Sequence, residues 1–257
     1  MPGYYAHLAT VNPVVSKNRC FIYGVEMPDL LKKYYKLGGL IYAEEKYNLL
    51  HIKDMPFFSF FEERVQQDAD DKDSTNGLHY GWSSSPDIYL FWNSLSSNQK
   101  NNSFFIGYLW HLLGDKLVYS WLDIEGKFNS FLKQHKNDPN LSTLMEIEYK
   151  KLHNDWDKLN ALIRDRYPDV ILTPEVIELN TVKYNSDSHL DYVDWNILKN
   201  IIDYMRSINP LEEDSEKIIN EIKLLLPQNN NLGIDNLCKM KILSKKLSFE
   251  NNQYKKI

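Results

Sequence analysis

The chain has 257 residues, 43% of them hydrophobic, and a formal net charge of −5, which suits a water-soluble globular protein with a sizeable core. The negative balance supplies no basic field, which argues against a stable nucleic-acid partner. The two cysteines, Cys20 and Cys238, cannot build a disulfide framework, and neither sits in a CxxC pair that would suggest a cysteine-based zinc site.

The start, MPGYYAHLAT, lacks the basic-then-apolar pattern of a signal peptide. The most apolar stretch, Phe104 to Leu113, is too short to cross a bilayer and carries His111. A cytoplasmic protein with no transmembrane segment is the expectation.

Helical signals dominate in chain order, and strand signals are weak. Pro28 and Asp29 are read as opening a helix, DLLKKYYKL, that stops at Gly38-Gly39. An aromatic-rich helix is expected from Pro56 to Arg64, then a polar acidic loop over 66–77 that fails the calcium-loop template. Ser84 or Ser85 is the expected cap of a helix with Pro86 in its first turn. Residues 103–122 are apolar nearly all round and predict a central, buried helix. A long amphipathic helix is expected from about Ser142 to Arg166, another from Thr173-Pro174-Glu175, and two more over 191–207 and 211–226. Any strands would be short, near 170–172 or 181–184. PQNNNLGID reads as a linker, followed by a lysine-rich helix and tail whose charges form a solvated face. The expected architecture is all-α: a single domain over 1–257, with a core at 1–166 and additional helices over 167–257.

Chemistry concentrates in histidines and aspartates. Two helical turns each carry His followed by Asp four residues on, His111 to Asp115 and His153 to Asp157. Positions i and i+4 share one helix face, so an imidazole and a carboxylate stand side by side. The first pair falls in the most apolar helix, where a charged Asp is costly without a metal or a cationic partner. Gly107 and Gly114 lie in the same helix, as close approach of another backbone would require. His7, Asp29 and His79 complete the candidate set, each unremarkable alone.

Taken in order, these residues form a series: His7, then G-x-x-x-P-D ending at Asp29, then His79-Tyr80-Gly81 with S-x-P-D behind it, then G-Y-x-x-H-x-x-x-D, then a second H-x-x-x-D. The series resembles the zinc-dependent phospholipase C and nuclease P1 superfamily, and is most similar to its uncharacterised phospholipase C-like branch. The resemblance covers roughly 1–160 and rests chiefly on GYLWHLLGD and the MPD segment. It implies a multi-helical bundle holding two or three Zn²⁺ ions. Asp29, His79, His111 and Asp115 match the set around one ion. Asp115 would bridge to a second ion that also takes His7, and His153 with Asp157 match a third. The matching residue also implies that Asp29 is the catalytic base or water orienter.

Two departures stand out. The secreted relatives use a mature N-terminal tryptophan as ligand, whereas this chain begins Met-Pro with His7 close behind. They also place a histidine ten residues after the core-helix His, where this chain has Trp121, with Asp123 and Glu125 as nearby substitutes. The third ion site is therefore expected to be incomplete.

His and Asp donors without Cys suit Zn²⁺, and Mn²⁺ or Fe²⁺ fit the same ligands. A metal-activated water attacking a phosphodiester or a phospholipid headgroup is the implied reaction, with a small-molecule substrate. The alternatives are a nuclease P1-like activity, in which aromatic side chains would stack on a base, and a metal-binding or interaction protein that has lost catalysis. An HD-type phosphohydrolase lacks its adjacent His-Asp dipeptide. GxSxG and P-loop motifs are also missing.

Overall fold

The computed structural model describes residues 4–36, 86–171 and 189–227, and among these it is all helix and turn, with no strand. The elements are α1 (Tyr4–Ala9), a 3-10 turn (Val15–Lys17), α2 (Arg19–Lys36), α3 (Ile88–Ser94), α4 (Ser97–Lys100), α5 (Ser103–Leu122), α6 (Ile124–His135), α7 (Leu141–Arg166), α8 (Trp195–Arg206) and α9 (Ser215–Leu225). None of them is long and apolar enough to cross a membrane.

Helix α5 is the hub. Only Ser103, Ile106, Lys116 and Ser120 along it escape full burial, because α2, α3, α8 and α9 gather around it and the His7 ring of α1 stacks on it. Asn102 starts it by accepting the Phe104 N–H at 2.9 Å. Asp123 ends it in a left-handed conformation at φ 47° and donates its N–H to the Tyr119 carbonyl. A left-handed residue with a side chain costs roughly 1–2 kcal/mol, and Asp is among the types that tolerate it.

The most extensive helix contact is between α2 and α5, and it is made backbone to backbone. A Cβ on Gly24 would stand 2.0 Å from the Phe104 carbonyl oxygen, and one on Gly107 would stand 2.1 Å from that of Phe21. The close approach expected of Gly107 is therefore met by α2. Gly114 has a different neighbour, the His7 ring, whose Nδ1 would lie 3.4 Å from an added Cβ.

Helix α2 differs from the sequence expectation. It begins at Arg19, ten residues before Asp29, with Asn18 accepting the Phe21 N–H at 3.0 Å, and it runs straight through Pro28. A mid-helix proline costs about 3 kcal/mol, since it removes the hydrogen bond to residue i−4, here Gly24. Burial of Phe21, Ile22, Val25 and Met27 against the hub offsets that cost. Helix α3 is capped by Asp87, which accepts the Leu90 N–H at 2.8 Å. Ser84 and Ser85 lie outside the described residues, as do the features expected at Gly38-Gly39, 56–64, 66–77, 173–175, 181–184 and beyond 227. Helix α6 was not anticipated; it starts directly after Asp123, with no polar spacer to mark the break.

Helices α8 and α9 fit the expected amphipathic segments, each starting at an aspartate, Asp194 or Asp214, that accepts two backbone N–H groups. The approach to α8 is fastened to α7 by Asp155. Its fully buried carboxylate accepts the N–H groups of Asp191 (3.0 Å), Tyr192 (2.6 Å) and Val193 (3.0 Å). Asp155→Ala leaves these donors without an acceptor and is expected to cost about 3 kcal/mol. In urea unfolding this appears as a lower midpoint at unchanged slope.

Candidate metal centre

Three helices converge on one buried cluster. His7 comes from α1, Asp29 from α2, and His111 with Asp115 from consecutive turns of α5; none is more than 5% exposed. The His7 and His111 rings stack with centroids 3.9 Å apart and planes 18° apart. Each ring faces a different oxygen of one carboxylate: His7 Nε2 lies 3.4 Å from Asp115 Oδ1, and His111 Nε2 lies 3.4 Å from Asp115 Oδ2. Asp29 Oδ2 is 3.9 Å from His7 Nε2. Donor atoms of His7, His111 and Asp115 all lie within 4.8 Å of one another.

The orientation of His111 is fixed from behind. Its Nδ1 is 2.8 Å from the carbonyl oxygen of Val25, an acceptor that requires the proton to be on Nδ1. The lone pair is thereby left on Nε2, toward Asp115. Metal-ligating histidines are commonly held by such a bond from the other ring nitrogen. The 3.4 Å separations also match the edge of a tetrahedron built on zinc–ligand bonds of about 2.0–2.1 Å.

In the absence of an ion the cluster is a coupled proton site. Burial lowers the His7 pKa, and the neighbouring His111 charge lowers it further. Burial also works against a charged His111, but the hydrogen bond and charge of Asp115, with Asp29 and the Val25 carbonyl, raise its pKa above the ordinary 6.5. Burial alone would raise Asp115; the two imidazoles instead hold it far below the usual carboxylate range. Of two rings stacked at 3.9 Å, the surroundings thus favour an added proton on His111 over one on His7. Metal must displace that proton, so affinity is constant above the folded pKa of His111 and falls as pH drops through it. The expected slope is about tenfold per pH unit, setting in above about pH 6.5. Zn²⁺ competition against a chromophoric chelator between about pH 6 and 8.5 measures it.

The other expected ligands divide. His79 lies outside the described residues. His153 and Asp157 are on the exposed face of α7 and do not belong to the cluster of His7, Asp29, His111 and Asp115. The reason is periodicity: Leu152, Trp156, Leu159 and Ile163 define the buried stripe of α7, and the acids on that stripe are Glu148 and Asp155. His153→Ala and Asp157→Ala are each expected to leave metal content per chain unchanged, as elemental analysis of the purified variants would record. Trp121 is buried and Asp123 exposed, while the Glu125 side chain lies outside the described set.

Two features were missed in the sequence. The Val25 carbonyl leaves no side-chain signal at all. Glu26, only 1% exposed, is one turn before Asp29 on the same side of α2; an acid three residues ahead of Asp29 was the available clue. No protein-family description, curated protein or solved structure matches this chain. Function must therefore be argued from the site itself.

Proposed function

We propose that this protein is a zinc-dependent phosphoesterase that hydrolyses a phosphodiester or phospholipid headgroup at the His7, Asp29, His111 and Asp115 cluster. The observation that carries the reading is the pairing of two stacked imidazoles with the two oxygens of one buried carboxylate, one imidazole being locked by Val25. Each ring faces its own oxygen of Asp115, which would let the cluster hold two ions. His111 and Asp115 Oδ2 would hold the first ion, and His7, Asp115 Oδ1 and Asp29 the second.

When bound, such a pair supplies Lewis acidity and acidifies a water toward neutral pH. The chain's own part is to aim and to move protons. The Val25 carbonyl keeps His111 in the tautomer whose Nε2 is a donor to metal. Asp29, beside His7, would take the proton of the attacking water. Hydrolysis of bis-p-nitrophenyl phosphate by zinc-loaded protein tests the reaction, with a choline phospholipid and single-stranded DNA to separate phospholipase from nuclease P1-like action. Turnover that is lost in Asp29→Asn while the ion on His111 is retained supports the reading.

A second reading, a metal-stabilised scaffold without catalysis, is favoured by one observation: His153 and Asp157 are exposed and add no ligand to the buried cluster. Zinc binding without turnover on any of these substrates selects it.

A further inference from the structure

We infer that Arg206, on α8, is the positioning residue for His7, so that the C-terminal helices belong to the metal centre. The inference rests on the metal reading above. Helix α1 spans only Tyr4–Ala9. A helix this short has almost no stability of its own, so the orientation of its His7 ring depends on what grips its ends.

The C-terminal grip is Arg206, 197 residues away in sequence. Its Nη1 donates to the Ala9 carbonyl at 3.1 Å and to the Val11 carbonyl at 3.3 Å. The last carbonyls of a helix have no partner within it, and a cation there also complements the helix dipole. Asn12 answers from the other side, its Nδ2 donating to the Arg206 carbonyl at 3.0 Å. The guanidinium is itself held on two sides. Its Nη2 pairs with the Asp169 carboxylate, and its plane lies over the Tyr167 ring, 5.3 Å from the centroid. Tyr167 is fixed in turn by donating to Asp203, 2.7 Å away on the same helix as Arg206.

The grip reaches the ring by two short routes. Thr10 Oγ1 donates to the His7 carbonyl at 2.6 Å, within the turn that Arg206 clasps. Met205, adjacent to Arg206, has its Cε 3.8 Å from the point where a Cβ on Gly114 would stand, and His7 Nδ1 is 3.4 Å from that same point. Helix α8 therefore packs against α1 and reaches the same point of α5 as the His7 ring. Lysine cannot reproduce this arrangement, because a single ammonium lacks the planar fork that reaches Asp169 and the α1 carbonyls together.

Zn²⁺ titration against a chromophoric chelator, with Co²⁺ absorption as a geometric signature, tests the role in the full chain. Arg206→Met is expected to weaken the zinc ion that needs His7 by at least tenfold, to leave the ion on His111 within threefold of wild type, and to alter the Co²⁺ spectrum of the weakened site alone. Arg206→Lys should recover part of that loss. Asp169→Asn, which loosens the guanidinium without removing it, gives a smaller weakening of the same ion and keeps the test open if Arg206→Met does not fold. Variants that are folded, and less stable to urea, yet bind both ions as wild type does would reduce Arg206 to a structural clamp and overturn the inference. Wild-type protein that binds no zinc overturns the metal reading itself, and this role with it.

Discussion

Asp115→Ala is expected to abolish metal binding and to destabilise the metal-free protein by about 3–5 kcal/mol, the usual cost of removing one partner from a buried ion pair. Asp115 is fully buried, and both imidazole Nε2 atoms face its oxygens at 3.4 Å. Without it, the proton on His111 loses its principal counter-charge, and His7 loses the carboxylate that offsets its desolvation. The two effects can be separated. Asp115→Asn keeps the volume and offers the rings an amide, so its stability loss in urea should be well below that of alanine. An amide is a poor zinc ligand, so zinc binding should be lost in both variants. A variant at position 115 that folds and retains full metal content would contradict the assignment of Asp115 as a ligand.

Gly107→Ala and Gly24→Ala are each expected to cost about 3 kcal/mol or more, despite the intrinsic helix preference for alanine of about 1 kcal/mol. At both positions the added methyl would meet a backbone carbonyl near 2 Å. Backbone cannot rotate aside as a side chain can, so α2 must move away from α5. That movement carries Val25 and Asp29 with it, and the Val25 carbonyl holds His111. Loss of stability and loss of zinc affinity should therefore appear together. Gly114→Ala is the internal control: its Cβ meets the His7 ring at 3.4 Å, an ordinary contact. That variant should be close to wild type in urea, within about 1 kcal/mol, with the alanine preference helping.

The all-helical character and the central helix were legible, because twenty residues of nearly unbroken apolar character leave no room for a solvated face. The His7, Asp29, His111 and Asp115 set was legible only as an ordered series; no single spacing brings α1, α2 and α5 together. The start of α2 was misread because Pro28 carries a strong helix-start signal, and the packing that outweighs it is tertiary. That His153 and Asp157 are exposed was not legible, because i, i+4 spacing shows that two side chains share a face but not which face is buried. Leu152, Trp156, Leu159 and Ile163 carried that missing information. The Arg206 grip on Ala9 and Val11 could not be read at all, since its acceptors are backbone carbonyls nearly two hundred residues away.

The most direct measurement of the central claim is the transition-metal content of protein purified without chelator and equilibrated with Zn²⁺, beside His111→Ala prepared identically. At least two tightly held ions per wild-type chain are expected, with loss of ions in the variant. Wild-type protein that holds no metal, with His111→Ala equally folded, would reduce the cluster to a buried proton-sharing pair and contradict the account.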